Sequence, residues 1–172
     1  MFKLIYNIQL AEKGDPEAQF KMAVSYYNGN STHKNYKLAK EWYEKAAEQG
    51  HEKAQFNLGI MYESGKYINQ DYKEAFKWFR QSAEQGNAMG QYNLSVLYYK
   101  GLGIEKDYVQ AYNWCNLSLA EDENNSSAKD LLDILEENMN PTEIEKAQAL
   151  SSQNFKIIFL EKCLEALESN KS

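Results

Sequence analysis

Cysteine, proline and histidine are each present only twice, and each scarcity removes a class of protein. Cys115 and Cys163 do not repeat with any period, so a disulfide framework is excluded and a reducing compartment is expected. His33 falls in a loop and His51 at a helix start, and neither has a partner at metal-ligand spacing such as HExxH. No G-x-S-x-G elbow, phosphate-cradling glycine loop or CxxC pair occurs. The carboxylate clusters Glu121-Asp122-Glu123 and Glu136-Glu137 have no second catalytic group placed opposite them and read as solvated faces. No catalytic residue, metal or cofactor is therefore expected, and the chain does not read as an enzyme. Positive charge is also short, with 19 Lys and Arg against 25 Asp and Glu, a net charge of −6. That balance disfavours nucleic acid and anionic membrane as partners. Long apolar runs are missing too: the longest compact one, Ile157 to Leu160, is far below the roughly 20 residues of a membrane span. The opening Met1-Phe2-Lys3-Leu4-Ile5 is interrupted by Asn7, Gln9 and Glu12 with no small-residue cleavage site, so the segment belongs to the fold and the chain reads as cytoplasmic.

What the chain does have is a period. Trp42, Trp78 and Trp114 lie 36 residues apart. Gly14, Gly50 and Gly86 keep that interval, as do Tyr26, Tyr62 and Tyr98, and Gly29, Gly65 and Gly101. Tyr36, Tyr72 and Tyr108 keep it as well, with Ala39, Ala75 and Ala111. So many residue types in one register make an internal repeat, and a period of this length without strand signals means stacked helix pairs. In the first helix of a unit Ala54, Leu58 and Tyr62 form one apolar stripe, with small residues beside it at Gly59, Ala23 and Ser95, expected where a second backbone comes close. Gly65 stops that helix. The second helix opens at Asp71, with Asn35 and Asp107 as equivalents, all good N-cap residues. It carries Ala75, Trp78 and Ser82, with Phe79 beside the tryptophan. The periodic tryptophans and alanines are expected in the core, and Cys115, in the slot of Tyr43 and Phe79, is expected to pack as a small apolar residue.

The expected fold is all-α, an α/α solenoid (superhelix) of stacked antiparallel helix pairs with 36-residue repeats, forming one domain over residues 1–172. Residues 1–14 read as an N-terminal half-repeat and 15–50, 51–86 and 87–122 as full repeats. Residues 123–172 read as a degenerate repeat and a C-terminal capping helix, the register slipping after Asp122 at the polar loop Glu123 to Ser127. Ala128, Leu131, Leu132, Ile134 and Leu135 then mark one amphipathic helix, which Asn140-Pro141 breaks. Thr142 with Glu145 reads as the capping box of another helix, and Phe155 to Leu167 is helical again by spacing.

Ala54-Gln55-Phe56-Asn57-Leu58-Gly59, with Tyr62, Gly65, Asp71, Ala75, Trp78, Ala83 and Gly86, resembles the Sel-one-like repeat family, a relative of the tetratricopeptide repeats. The resemblance covers residues 11–122 in register. It departs in the loop: Gly101-Leu102-Gly103-Ile104 keeps the pattern G-x-G-V, whereas Gly29-Asn30-Ser31-Thr32 and Gly65-Lys66-Tyr67-Ile68 do not. The resemblance implies a non-enzymatic adaptor holding a protein or peptide partner in a concave groove. Members of the family serve in bacterial host interaction, signalling, toxin immunity and protein quality control.

By analogy with tetratricopeptide geometry, the groove is lined by first-helix positions bracketing the core stripe: Phe20, Val24 and Tyr27, then Phe56, Ile60 and Glu63, then Tyr92, Val96 and Tyr99. The column Tyr27, Glu63 and Tyr99 varies while its neighbours repeat, and tyrosine offers a large rigid contact with a hydrogen-bonding tip. Lys53, Asn57, Asn93 and Lys100 are expected at the rim. The apolar tail Phe155, Ile157, Ile158, Phe159, Leu160, Leu164 and Leu167 is expected to cover the open end of the stack; a homodimer through this helix is the alternative. Two further functions remain beside the adaptor: an immunity protein neutralising a cognate toxin, and a structural subunit that self-assembles.

Overall fold

The computed structural model describes residues 2–30 and 33–169, and the side chains of all of these except 2–6, 161, 162, 165, 166, 168 and 169. Ser31 and Thr32 of the first loop thus lie outside the described residues. Among the described residues there are nine helices and no strand. Those of the repeats are α1 (Phe2–Glu12), α2 (Pro16–Asn28), α3 (Tyr36–Glu48), α4 (Glu52–Ser64), α5 (Tyr72–Glu84), α6 (Ala88–Lys100) and α7 (Tyr108–Glu121), followed by α8 (Ser126–Asn138) and α9 (Pro141–Ser169). They divide into two compact units, Met1–Ser82 and Ala83–Ser172. No helix among the described residues is long and apolar enough to cross a membrane.

The helix boundaries follow from local chemistry that repeats with the sequence. Asp15, His51 and Asn87 cap the first helices, their side chains accepting from the amides of Ala18, Ala54 and Gly90. Asn35 and Asp107 accept from Leu38 and Gln110, and Asp71 from Lys73 and Glu74, at the starts of the second helices. At Gly65 the backbone turns left-handed, φ +61°, and a Cβ there would stand 2.7 Å from that of Gln70, so only glycine closes this helix without strain.

The same interval runs through a polar residue that stripe reasoning passes over. Gln19, Gln55 and Gln91 are all buried, and their amide nitrogens donate to the carbonyls of Ala11, Ala47 and Ala83, at 3.2, 3.1 and 3.2 Å. Each carbonyl lies in the last turn of the preceding helix and also accepts from the amide of the glycine that follows, Gly14, Gly50 or Gly86, so the glutamine takes its second lone pair. The glutamine therefore ties the end of one repeat to the first helix of the next, which offsets part of the cost of its burial; in Gln91 the side-chain oxygen stays buried without a partner. The signal was present as a 36-residue spacing of Gln with Ala.

Core packing departs from expectation at two points. The small position Gly59 faces a ring, not a second backbone: a Cβ there would meet Phe79 carbons at 2.6 Å. The partner position changes in step. Ala23 packs in one cluster with Tyr43, and Ser95 stands within hydrogen-bonding reach of the Cys115 thiol. Second, the tryptophans are not equally buried. Trp78 and Trp114 are 5% and 9% exposed, whereas Trp42 is half-buried with the Lys45 ammonium 4.2 Å above its ring. Trp42 is packed beside the half-repeat α1, which offers Ala11 and Leu10 in place of a full helix pair.

In the second unit Ala128, Leu131 and Leu135 of α8 and Ala147 of α9 pack with Ala111, Tyr112 and Cys115 of α7. The capping box of α9 is Asn140 with Glu143, not Thr142 with Glu145. Asn140 N donates to Glu143 Oε2 at 2.9 Å, and Glu143 N returns a bond to Asn140 Oδ1 at 3.0 Å. Pro141 takes the first helical position, where its missing amide costs nothing. The two expected closing segments are one helix of 29 residues. The polar run Ser151 to Asn154 does not break it, because Ser151 and Ser152 hydroxyls donate back to the carbonyls of Ala147 and Gln148.

Candidate functional site

All nine first-helix residues singled out by the repeat are half-buried, neither sealed in the core nor fully exposed. Six lie in the first unit, on α2 and α4, and their surroundings divide them by column. Phe20 stacks on His51 at 4.6 Å with planes 19° apart and tilts against Tyr43 at 6.0 Å. His51 Nδ1 accepts from the Ala54 amide, which leaves the proton on Nε2, 3.0 Å from Glu17 Oε2. That bond, reinforced by Lys21, holds the Glu17 carboxyl below its ordinary range. Phe56 leans on Phe79 at 6.0 Å. Phe20 and Phe56 therefore act largely as an inner lining that supports the outer positions.

The outer residue Tyr27 is not free. It stands edge-on to Tyr36 at 5.4 Å and to Tyr67 at 5.8 Å, while Tyr36 and Tyr67 stack with centroids 3.4 Å apart. The Tyr36 hydroxyl donates to that of Tyr67, which raises the Tyr36 pKa and, with the Lys66 ammonium beside it, lowers that of Tyr67. Tyr67 comes from the loop where the repeat pattern calls for glycine, so the loop departure fills this face with a three-tyrosine cluster. Glu63, on the last turn of α4, is half-buried, and its carbonyl accepts from the Gln70 amide at 2.7 Å.

In the second unit the face is open. Tyr92, Val96, Tyr99 and Lys100 of α6, with Ser127, Asp130, Leu131 and Ile134 of α8, line a notch of about 290 Å³. Tyr99 stacks on Tyr108 at 5.9 Å. The floor is aliphatic and aromatic, and the rim carries one cation, one carboxylate and two phenols. Ile134 is 39% exposed, an apolar residue off the buried stripe of the amphipathic α8. The contribution of α8 escaped the repeat analysis because the register is lost after Asp122; only the off-stripe placement of Ile134 beside Leu131 and Leu135 hinted at it. A separate, larger cavity of about 530 Å³ lies between α7 and α9 and involves none of the nine residues. Among the described residues no three His, Cys, Asp or Glu side chains are placed to hold a metal ion.

The Sel1 repeat pattern matches residues 16–51, 52–87 and 88–122. The chain belongs to the Sel1 repeat family. A Sel1 repeat protein from Oxalobacter formigenes is 35% identical, with a TM-score of 0.70 over 77% of this chain and 98% of that one. A second solved structure, c5321, is a protective antigen of uropathogenic Escherichia coli strains with an SLR fold. It is 30% identical, with a TM-score of 0.60 over 89% of this chain and 40% of that one. No curated protein matches the chain. The fold is thus an α-solenoid of Sel1 repeats, and Sel1 repeat proteins are generally protein-interaction scaffolds.

Proposed function

We propose that this Sel1 repeat protein is a non-enzymatic adaptor that binds a segment of a partner protein on its first-helix face, with the second-unit notch as anchor point. One observation supports it: Tyr92, Val96 and Tyr99, expected in the groove by analogy with tetratricopeptide geometry, line the same open notch together with α8. A notch of about 290 Å³ sits at the lower end of the roughly 300–1,000 Å³ of drug-sized ligand sites, and suits the anchoring side chains of a short segment. Its Val96, Leu131 and Ile134 floor favours an aliphatic side chain. Lys100, Asp130 and the Tyr99 hydroxyl can then engage the polar backbone on either side of that anchor. Both cysteines are free, one buried and one exposed, in keeping with the proposed reducing setting.

The test is affinity capture from native lysate, comparing wild type with Tyr99→Ala, Tyr27→Ala and the double variant, with circular dichroism as the folding control. A central aromatic contact is worth about 2 kcal/mol. Tyr99→Ala is therefore expected to weaken the captured partner at least tenfold. Tyr27→Ala, whose ring is already engaged by two tyrosines, is expected to have the smaller effect. A partner retained equally by the folded Tyr99→Ala variant would remove the notch from the binding site.

A further inference from the structure

α9 buries one face and leaves a second, apolar one outside. One face packs inward: Ala147, Ser151 and Ile158 are 0%, 3% and 8% exposed. The other holds Ile157, Leu160, Leu164 and Leu167, which are 46%, 59%, 60% and 58% exposed. An amphipathic helix at a protein surface has one apolar stripe, and a second one is in want of a partner. The four residues are spaced three, four and three apart, the a and d positions of two heptads. Phe155 and Phe159, stacked at 6.4 Å and 44% and 57% exposed, fall at f and c on the opposite flank. The a/d seam itself is the complement of another helix bearing the same spacing.

We infer that α9 pairs with the α9 of a second copy of this chain, as a parallel two-stranded coil along Ile157, Leu160, Leu164 and Leu167. Ile at an a position with Leu at d favours two parallel strands. The charges in the sequence agree: Lys156 falls at the g position on one flank of the seam, and position 161, five residues on at e, is a glutamate. In a parallel pair each g position lies beside the partner's following e position, so Lys156 of one copy is set against position 161 of the other. The acidic net charge argues against the alternative that this strip lies on an anionic membrane. Because the seam is separate from the face that packs inward, two copies can join without loss of the contacts of Ala147, Ser151 and Ile158. Two heptads are short for a coil, so the association is expected to be weak, with dissociation in the micromolar range. The pairing is independent of the notch between α6 and α8.

The experiment is sedimentation equilibrium of the full chain up to a few hundred micromolar. Wild type is expected to reach twice the chain mass. Leu160→Glu with Leu164→Glu is expected to stay at the chain mass with unchanged thermal midpoint, whereas Phe159→Glu, off the seam, dimerises as wild type does. A second readout does not depend on the charge substitutions. In a Cys163→Ser background, Leu160→Cys is expected to form an interchain disulfide on mild oxidation, because each d residue meets its own copy. A wild type that remains at the chain mass, a seam double variant that still dimerises, equal loss with Phe159→Glu, or absence of the disulfide would each overturn the pairing.

Discussion

The two units solve the same two problems with different residues. Behind the repeat tryptophan, the first unit sets Phe79 against Gly59, and the second sets Cys115 against Ser95. All four are buried to 0% or counted among the buried residues, so the space is filled in both. A large ring takes glycine opposite it; a thiol takes a hydroxymethyl group. On the first-helix face the contrast concerns Tyr27 and Tyr99, which occupy equivalent positions. Tyr27 is enclosed by Tyr36 and Tyr67, whereas Tyr99 borders an open notch. What the repeat keeps in the core is therefore burial of both facing positions, with a different pair of side chains in each unit. On the surface two of the three units carry tyrosine at this position, and its availability is decided by whatever the following segment places beside it.

The core contrast predicts unequal costs at one repeat position. Phe79→Ala removes a fully buried ring that packs on Gly59 and Phe56, and is expected to cost about 3–5 kcal/mol. Cys115→Ala loses one small group and the bond from Sγ to the Ala128 carbonyl at 3.0 Å, and is expected to cost only about 1 kcal/mol. Urea unfolding of the two variants measures both; equal costs would mean that the slots are not packed as different solutions.

Gly59→Ala tests the pairing directly and is expected to have the next largest effect, about 1–3 kcal/mol, since its Cβ would fall 2.6 Å from the Phe79 ring. The same alanine combined with Phe79→Leu is expected to cost less than the sum of the two single changes, because the shorter side chain yields the space. A double-mutant cycle reads this coupling, and additivity would show that the ring and the glycine are independent. Ala23 already carries the Cβ opposite Tyr43, so the intolerance belongs to the pair and not to the position.

The helical repeat was legible because its signals are local: caps at Asn35, Asp71 and Asp107, a stop at Gly65, and apolar spacing on each helix. The three candidate residues of each first helix could be assigned to one face of that helix by its spacing together with the analogy to tetratricopeptide geometry. Their surroundings could not, because these depend on partners outside the register. Tyr67 reaches Tyr27 only through an irregular loop, and Ile134 and Asp130 reach the notch from a helix that no longer follows the period. The α9 cap was misplaced by two residues because Thr142-x-x-Glu145 and Asn140-x-x-Glu143 compete in the sequence; Pro141 suits the first helical position and decides for the latter. Continuity through Ser151 to Asn154 was hidden for a related reason, since serine reads as a breaker until its hydroxyl is seen bonded within the helix.

The smallest expected effect separates the two slots by pH. Burial pushes the Cys115 thiol from its ordinary 9.0 up to about 12, so the folded protein keeps it neutral. Below 9.0 the thiol is protonated in both states and its contribution to stability is complete. As pH rises from there toward about 12 the unfolded chain loses this proton while the folded chain retains it, and stability falls. The decline approaches about 1.4 kcal/mol per pH unit at most. The first-unit slot holds Phe79, which does not titrate, and Tyr43, also raised by burial but from the higher ordinary value of 10.0. Mild alkali is thus expected to weaken the second unit before the first. Urea unfolding of wild type and Cys115→Ala at pH 8 and pH 10 isolates the thiol, because Tyr43 and the exposed Cys163 are common to both chains. The advantage of wild type over the alanine variant should shrink or vanish between the two conditions; an unchanged gap would mean that the Cys115 thiol ionises as readily in the folded slot as in the unfolded chain.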